Sequence, residues 1–489
     1  MMPFSSHASV RRLATSTLVV VSLGGVTLHC GPPDPPDPPP PSPQTSCSGT
    51  FSDGTKIDVA RPQPLVDVPG DQSFCDFHTF AWNEFLYLVQ TVSDPNDPSF
   101  PSKPRFLSYA PSYNMLRPDD SLPPGAFPGG NTTLDVKRLD RKQAGNGGDE
   151  LIDVAGQTVL YDMRFNEAMY DFIVGKGYFT QKGYDDFCKP ETTEPFSPCK
   201  NTEQIWLPGR GEGKTVLGSI EVKTAWRQFP EGDCPSTQMY CAGTKLGMVA
   251  LHIAQKTPTH GEWIWASFEH IANAPDCTAG SSTPIAQQSP LGTPWSFFDP
   301  AKAPASVMET KTCGVTADNA QCNLDPHDPL DKETFRQVNI CRTDVLPAGG
   351  ASAANCEISR QGPLANSAGN TECLNATLRP HLEGVWQNYQ LVGTLWTQGE
   401  QAPDKDFSIA VFQEPKPNVP EKTAVGFPNL ANTALETFLQ TGSTAYDPNG
   451  SSLSNANKSG CFGCHNTAPH NTDTDLSHFP SKFYAPEMP

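Results

Sequence analysis

Cysteines distributed along most of the chain are the feature that most constrains how it can fold. The sequence holds 15 cysteines, and setting aside Cys30, Cys461 and Cys464 leaves twelve, an even number, between residues 47 and 373. These twelve can all be paired in disulfides, which persist only in an oxidising compartment. Near neighbours in sequence favour three short loops, closed by Cys188–Cys199, Cys234–Cys241 and Cys313–Cys322. One sequence does not determine connectivity, so other pairings of the twelve stay open.

The start of the chain predicts export. Arg11 and Arg12 precede a short apolar run, "LATSTLVVVSLGGVTLHC", which ends at Cys30. The pattern is typical of a signal peptide over residues 1–30, because the run is too short and too interrupted by Gly and Ser to span a membrane. "TLHC" resembles a bacterial lipobox, in which Cys30 is lipidated and becomes the new N-terminus. Thr and His stand where a lipobox normally has Leu and a small residue, so cleavage nearby by an ordinary signal peptidase stays open.

Residues 31–45, "GPPDPPDPPPPSPQT", follow the signal peptide. A polyproline segment is extended and semi-rigid, so it would hold a folded domain away from a membrane surface. No second apolar segment approaches membrane-spanning length, and membrane contact is therefore expected through the lipid anchor alone. The sequence predicts an exported protein of the periplasm, or of the outer membrane or cell surface.

Proline and glycine content bears on the fold class. The chain has 50 Pro and 39 Gly against 37% hydrophobic residues, so much of it must run as turns and extended loops. We predict an α+β fold with a disulfide-stapled, loop-rich, strand-leaning globular body over residues 46–425. A short helical C-terminal segment, residues 426–489, follows the body.

Hydrophobic periodicity places several elements within the body. Asp76–Val92 has apolar residues at helical spacing, and a strand pair is predicted to lead into a short helix at Asn166–Val174. Residues 218–229 are predicted to form a strand. Residues 247–275 read as a β-hairpin with Pro and Gly in its turn.

Three other stretches carry weaker signals. Leu382–Thr397 is ambiguous between helix and strand, and residues from about 277 to 375 are mostly turn-forming residues and cysteines. In the C-terminal segment, "NLANTALETFLQTGS" predicts a short helix with Asn432 as its N-cap.

The motif Cys461-Phe462-Gly463-Cys464-His465 is the most informative one in the chain. Two thiols at this spacing can form a tight disulfide, a redox dithiol or half of a zinc site. A thioredoxin-type dithiol needs a strand before it and a helix after it, whereas polar and turn-forming residues flank this motif. A zinc site needs a second ligand pair, and the sequence has no second CxxC and no HxxxH. C-x-x-C-H is instead the attachment signature of c-type haem, because two thiols one short turn apart can reach both vinyl groups of the porphyrin.

The motif resembles that of c-type cytochromes, which implies one covalent haem c in the C-terminal segment. The resemblance makes Cys461 and Cys464 the covalent anchors and His465 the proximal iron ligand. More loosely, "FAWNEFLYL", "VALHIAQKTPTHGEWIWASFEH", "GVWQNYQLVGT" and "NLANTALETFLQ" are similar to segments of exported bacterial proteins of the cytochrome c family that end in a single CxxCH motif. That likeness covers most of the chain and implies no particular activity. Unlike in a small cytochrome c, only 24 residues follow His465, so the body or a partner must cover the haem.

The second axial ligand of the iron stays open at this point. Met488 and His478 are the candidates in the C-terminal segment, and His252 or His270 could serve from the hairpin. A strong axial Met or His gives a closed electron-transfer site, whereas an empty position permits substrate chemistry.

The hairpin also gathers titratable and aromatic side chains, namely His252, Lys256, Trp263, Trp265, Glu269 and His270. Such groups can line a pocket or an electron path. Tryptophans that alternate along a strand are more often core residues, however, and core packing is the favoured interpretation. The same holds for Lys223, Trp226 and Arg227 in the preceding strand.

Net charge narrows the range of partners. A formal charge of −19 argues against nucleic acid and against adhesion to anionic lipid. A basic redox protein is its electrostatic complement, and plain solubility is the other reading of the same charge. The sequence predicts an exported monohaem c-type cytochrome that transfers electrons in the cell envelope. Two alternatives stay open: a peroxidase- or oxygenase-like haem enzyme with a substrate pocket in the body, and a binding or structural lipoprotein stabilised by haem.

Overall fold

An antiparallel sheet of seven strands organises the part of the chain that the computed structural model describes. That part comprises residues 47–70, 73–92, 103–116, 125–127, 134–141, 151–189, 205–211, 216–231, 243–261, 263–276, 288–301, 340–342, 364–398, 423–426, 430–437, 477 and 479. The signal peptide and proline-rich segment predicted over residues 1–45 lie outside it.

Strand order in the large sheet follows chain order, so each strand pairs with its predecessor and its successor. The strands are β3 (Ala110–Pro111), β4 (Leu160–Phe165), β5 (Ile220–Phe229), β6 (Lys245–Gln255), β7 (Ile264–His270), β8 (Tyr389–Gln398) and β9 (Thr423–Gly426). Two further strands, β1 (Thr91–Val92) and β2 (Lys103–Pro104), form a separate antiparallel pair.

Helices lie before and between these strands. They are α1 (Phe74–Val89), α2 (Ser112–Met115), α3 (Glu167–Gly175), α4 (Gln181–Cys188) and α5 (Leu364–Leu378). Short 3-10 turns occupy Arg105–Ser108, Val136–Arg138, Arg379–His381 and Gly384–Asn388. Helices and strands are mixed around one large antiparallel sheet, which agrees with the predicted α+β body.

Helix α1 forms where the apolar periodicity predicts it. Its start is fixed by a capping box, in which the Asp76 amide donates to the Ser73 hydroxyl at 3.2 Å and the Ser73 amide donates to the Asp76 carboxylate at 3.0 Å. Phe77, Phe80 and Phe85 are almost completely buried. The predicted helix is therefore confirmed.

The strand pair and helix predicted near residue 166 are confirmed in part, since β4 and α3 form but the second strand is reduced to a single bridge, Ile152↔Thr158. Strand β4 runs directly into α3, and the Asn166 side chain accepts a hydrogen bond from the Met169 amide at 3.2 Å, as an N-cap does. Strands β6 and β7 form the predicted hairpin, in register Ala254↔Trp265.

The sheet has two faces, because successive side chains of a strand point to opposite sides. On one side, which we call the α1 face, Phe85 of α1 stacks on Phe268 of β7 with ring centroids 4.2 Å apart, and α5 packs beside it. The opposite side, which we call the C-terminal face, is contacted by residues 430–437 and by Ser477 and Phe479. Both faces are therefore covered, at least in part.

Helix α5 (Leu364–Leu378) departs from the turn-rich stretch expected from about 277 to 375, so that prediction is wrong over residues 364–375. Asn, Ser, Gly and Thr make this segment a weak helix former. Contacts with β8 stabilise the helix instead. Asn375 donates to the Leu391 carbonyl at 2.9 Å and accepts from the Leu391 amide at 2.9 Å. Leu382–Thr397, which the sequence left ambiguous between helix and strand, forms the 3-10 turn Gly384–Asn388 and then β8.

One described disulfide joins Cys47 to Cys75 and ties the start of the body to the first turn of α1. That pairing spans 28 residues and was not among the short loops expected from the sequence. Cys188, Cys341 and Cys373 are also disulfide-bonded. The remaining members of the three predicted short-loop pairs, Cys199, Cys234, Cys241, Cys313 and Cys322, lie outside the described residues.

Strand β9 runs across the predicted boundary between body and C-terminal segment at residue 425. Residues 43–489 cluster as one compact unit. Among the residues that the structure describes, no helix is both long and apolar enough to cross a membrane.

Candidate functional site

The predicted haem-attachment residues lie outside the described ranges. This applies to Cys461, Cys464 and His465, to the axial candidates His478 and Met488, and to the lipidation candidate Cys30. The chain on both sides of the motif is described, however, at residues 430–437 before it and at Ser477 and Phe479 after it. Their contacts show which parts of the sheet these two flanking stretches touch.

The first flank is a turn over residues 433–437 rather than a described helix, since residues 438–440 lie outside the described part. The Ala434 amide donates to the Asn432 side-chain oxygen at 2.9 Å, and the Glu436 amide donates to the Asn432 carbonyl at 3.0 Å. These bonds fold residues 432–437 into a turn, and the helix that Asn432 is predicted to cap stays a prediction because its continuation lies outside the described residues. Asn432 also donates through its side-chain amide to the Ser267 hydroxyl at 3.0 Å and to the Phe268 carbonyl at 2.9 Å.

A buried carboxylate holds this flank on the sheet. Glu269 is completely buried, and its Oε2 accepts hydrogen bonds from the Thr433 amide at 3.1 Å and from the Thr433 hydroxyl at 2.7 Å. Tyr161 adds a third attachment, from its hydroxyl to the Ala434 carbonyl at 3.0 Å. The flank is therefore fixed to β4 and β7 through polar groups that are shielded from water.

Arg342 neutralises the buried carboxylate of Glu269. Its Nε donates to Glu269 Oε1 at 2.6 Å and its Nη1 donates to Asp276 at 2.5 Å. Burial alone would lower the pKa of Arg342, but the two carboxylates outweigh burial and raise it. Glu269, proposed from sequence either as a pocket residue or as a core residue, is thus a structural anchor.

The second flank docks on β5 and α4. The Ser477 hydroxyl donates to the buried carboxylate of Glu221 at 2.8 Å. Phe479 is completely buried and meets the ring of Tyr184 edge-on, with centroids 6.3 Å apart. Both flanks of the motif segment therefore end on the same face of the sheet.

Between the two docking points runs a row of polar side chains, which we call the His252 strip. It consists of Lys223, His252 and Ser267, which are cross-strand neighbours on β5, β6 and β7. Lys223 and His252 are half-buried, and Ser267 is buried. The Lys223 ammonium lies 5.5 Å from the centroid of the Tyr161 ring, a cation–π distance.

The imidazole of His252 lies beside the first flank. Its Nε2 is 3.1 Å from Glu436 Oε2, close enough for an ion pair, yet Nε2 makes no hydrogen bond because the approach is not aligned. Glu436 already accepts from the Asn432 amide at 2.9 Å. The side chain as a whole is 13% exposed, but Nε2 itself is buried against the Glu436 carboxylate.

His270 points the other way. Across the hairpin Glu269 pairs with Ala250, and Ala250 lies two residues from His252, on the same side of β6. Because neighbouring strand residues point to opposite sides, His270 lies on the α1 face. There its ring packs edge-on against Tyr389 at 5.4 Å. Burial, with help from nearby Arg227 and Arg379, lowers the pKa of His270 to about 4.

Core packing is confirmed for the aromatic residues of the hairpin and of β5. Trp263 and Trp265 are buried in a cluster on the C-terminal face, and Trp226 is buried on the α1 face. Lys256 is also completely buried, with its ammonium 3.5 Å from the centroid of the Trp206 ring. Arg227 forms an ion pair with Asp153 at 2.7 Å.

A separate group of buried titratable side chains lies on α1 and beside it. Burial raises the pKa of Glu84 to about 8, even though hydrogen bonds from the Leu65 amide and from Asn83 oppose the shift. Burial lowers the pKa of His78 to about 3 and that of His260 to about 4. This group is on the face opposite the flanks of the motif, so it bears on stability rather than on the candidate site.

Sequence reasoning did not single out Ser267, Glu221, Glu436 or Ser477 as part of a site. No local signal marks them, since each acquires its position through a contact with a distant part of the chain. Within the described ranges, no group of three or more His, Cys, Asp or Glu side chains could hold a metal ion by itself.

No family model, curated protein or solved structure matches the chain.

Proposed function

We propose that the chain is an exported monohaem c-type cytochrome that transfers electrons in the cell envelope. One observation carries the proposal: the sequence Cys461-Phe462-Gly463-Cys464-His465 in a chain whose residues 1–30 read as an export signal. Covalent haem attachment takes place outside the cytoplasm, and the CxxCH spacing suits two thioethers and one iron ligand. The resemblance to exported proteins of the cytochrome c family points the same way.

The described residues fit a haem carried by the motif segment. Two apolar clusters line the C-terminal face on either side of the His252 strip, one around Trp265 and Phe479 and one around Tyr161 and Leu435. Between them lies His252, whose Nε2 is buried 3.1 Å from the Glu436 carboxylate. An apolar surface with one polar ligand is the kind of environment that a buried haem requires.

Roles follow for the residues of the motif. Cys461 and Cys464 would hold the haem through thioethers, and His465 would ligate its iron. The bound group supplies reversible one-electron chemistry, whereas the protein supplies burial and axial ligation, which together set the reduction potential. Glu269 and Glu221 hold Thr433 and Ser477, the described residues on either side of the motif, on the C-terminal face.

The proposal also says how the protein is held in the cell envelope and what kind of protein it meets there. Lipidation at Cys30 would anchor the chain, and residues 31–45 would hold the body away from the membrane. A net charge of −19 favours a basic redox protein as partner, because opposite charge accelerates encounter.

A haem enzyme is the second candidate, and one contact favours it. His252 and Glu436 form an imidazole–carboxylate pair with 3.1 Å between Nε2 and Oε2. Such a pair can exchange protons with a substrate bound nearby. On this alternative the haem would be expected to bind carbon monoxide and cyanide readily.

Spectroscopy of the full chain, produced with a cytochrome c maturation system, tests the proposal. We expect a pyridine haemochrome spectrum with one haem per chain, and pigment that stays with the protein through acid–acetone extraction. A double variant, Cys461→Ser with Cys464→Ser, serves as the matched control and should lose the pigment. Absence of Soret absorbance in the wild-type protein, or extractable pigment, would refute covalent haem. Slow or absent binding of carbon monoxide favours electron transfer over the enzyme alternative.

A further inference from the structure

We infer that the side chain of Glu84 is a pH-sensitive latch, which fastens residues 63–68 to α1 while its carboxyl is neutral and releases them when it ionises. We call residues 63–68 the strap. The structural basis is that the backbone of the strap is held by side chains, and that the buried carboxyl of Glu84 is one of them. The inference does not depend on the proposed function, because no haem takes part in it.

Attachment of the strap is the first step. The strap has no helix or strand of its own, and within the described ranges none of its backbone groups bonds to another backbone group. The Asn83 side chain donates to the Gln63 carbonyl at 2.8 Å. At Leu65, the carbonyl accepts from the Gln255 side chain at 3.1 Å and the amide donates to Glu84 Oε1 at 3.1 Å. Because so few hydrogen bonds hold it, the strap can open locally while the sheet stays folded.

The surface beneath the strap is the second step. Leu65 and Val68 of the strap pack in an apolar cluster that includes Phe77 of α1 and Trp396 of β8. The rings of Phe77 and Trp396 stack with their centroids 3.8 Å apart, and both side chains are almost completely buried. Opening of the strap would therefore uncover apolar rings on the α1 face without breaking a strand pair.

Hydrogen bonding of the carboxyl is the third step. Glu84 Oε1 accepts from the Leu65 amide and also from Asn83 at 3.3 Å, whereas Oε2 is buried without a hydrogen-bond partner. Gln255 Oε1, on the other side chain that holds Leu65, is likewise buried without a partner. Both of these oxygens are acceptors when Glu84 is ionised, and a proton on Oε2 turns one of them into a donor. The neutral carboxyl therefore suits the closed strap better than the carboxylate, which would be a buried and poorly solvated charge.

Charges on the surrounding elements are the fourth step. The described titratable and charged groups on α1 and on the elements packed against its Glu84 region are Asp76, His78 and Tyr87 on α1, Arg105 and Tyr109 in and after the first 3-10 turn, Glu372 on α5, Asp67 on the strap and His260 in the hairpin turn. Burial keeps both histidines neutral near pH 7, because it lowers their pKa values to about 3 and about 4. Arg105 is the cation of this group, and its guanidinium donates to the Tyr87 carbonyl at 3.2 Å and to Gln90 at 2.9 Å. Burial therefore dominates at Glu84 and raises its pKa to about 8.

Hydrogen exchange of the full-length protein, measured by mass spectrometry from about pH 5 to about pH 9 and corrected for intrinsic exchange rates, tests the inference. The closed strap holds a proton that the open strap releases once the pH exceeds the ordinary pKa of 4.5. Protection of the amides of residues 63–68 should therefore fall by about tenfold per pH unit up to about pH 8 and then level off, while exchange in β5 and β6 stays slow. In Glu84→Gln, which keeps an acceptor for the Leu65 amide but cannot ionise, protection of the strap should not change with pH. Asp67→Asn is the matched control, since it removes a carboxyl of the strap that accepts from the Thr259 hydroxyl at 2.6 Å, and it should keep the wild-type dependence on pH.

Three outcomes would overturn the inference. They are strap protection in the wild-type protein that is constant across this pH range, a fall in protection that persists in Glu84→Gln, and a fall that β5 and β6 share equally with the strap. The third outcome would mean that Glu84 acts on unfolding of the whole body rather than on the strap. The wild-type profile needs no variant, so the first and third outcomes decide the matter even if Glu84→Gln fails to fold.

Discussion

The hydroxyl of Thr433 donates a 2.7 Å hydrogen bond to the carboxylate of Glu269, a residue 164 positions earlier in the chain. Both residues are completely buried. Because a buried carboxylate is costly unless it is paired, Glu269 requires both Arg342 and Thr433. The contact thus couples the start of the C-terminal segment to the interior of the sheet.

Breaking this network should be costly. In Glu269→Gln, the guanidinium of Arg342 loses its buried counter-charge, and we expect the free energy of unfolding to fall by about 3–5 kcal/mol. Thr433→Val removes one hydrogen bond and should cost about 1 kcal/mol. Urea denaturation measures both values.

An exposed ion pair provides the control for that comparison. Lys182 and Asp186 form a salt bridge on α4 with both side chains more than half exposed. Asp186→Asn should change stability by less than about 0.5 kcal/mol. Equal losses in Glu269→Gln and Asp186→Asn would contradict the role assigned to Glu269.

Glu84 should make the protein less stable as the pH rises. Its pKa is raised from 4.5 to about 8 by burial, so the folded state holds a proton that the unfolded state releases. The stabilising contribution is complete below pH 4.5 and is lost progressively as the pH approaches 8. Glu84→Gln keeps an acceptor for the Leu65 amide but cannot ionise, so its unfolding free energy should vary less with pH across this window. Parallel pH profiles for the variant and the wild type would rule the assignment out.

His78 should act in the opposite direction. Burial lowers its pKa from 6.5 to about 3, so the folded state resists protonation. Its contribution to stability is present above pH 6.5 and is lost as the pH falls toward 3. His78→Phe should reduce the acid-side loss measured by thermal melts, although His260 adds a similar loss of its own. His381→Asn, a change at an exposed histidine, should leave the acid-side profile unchanged.

The disulfide between Cys47 and Cys75 should stabilise the body. It closes a loop with a sequence separation of 28 residues, and such a cross-link is worth about 2–4 kcal/mol. The double variant Cys47→Ser with Cys75→Ser should unfold at lower denaturant concentration by that amount. A denaturation midpoint equal to that of the wild type would show that the bridge contributes nothing.

Docking of the second flank can be tested locally. Phe479→Ala deletes a completely buried ring and should cost about 3–5 kcal/mol if residues 477–479 unfold only together with the sheet. If the flank opens by itself, hydrogen exchange at residues 477–479 should quicken while exchange in β5 and β6 stays slow. Unchanged exchange and unchanged stability would argue against docking on the sheet.

Local signals predicted part of this fold. The apolar spacing and cap of α1, the Asn166 cap and the β6–β7 hairpin are encoded within short stretches, and the structure confirms each of them. Helix α5 was missed because its sequence is a poor helix former, and it is stabilised by Asn375 contacts with β8 that no local pattern reveals.

Less of the candidate site could be predicted, because the pairing register of the strands decides which side of the sheet each residue faces. His252 and His270 look equivalent in sequence, and only the pairing across the hairpin decides that they face opposite sides of the sheet. A shift of one residue would exchange them. Docking of Thr433 on Glu269 and of Ser477 on Glu221 joins residues more than 150 positions apart, which composition and periodicity do not encode.

Peptide mass spectrometry of the matured full-length protein tests the central proposal most directly. The account predicts that the peptide containing Cys461 and Cys464 carries the added mass of one haem, that the mass survives denaturation, and that no other peptide carries it. Recovery of that peptide with free thiols, or with the two cysteines joined in a disulfide and no haem on any peptide, would contradict it.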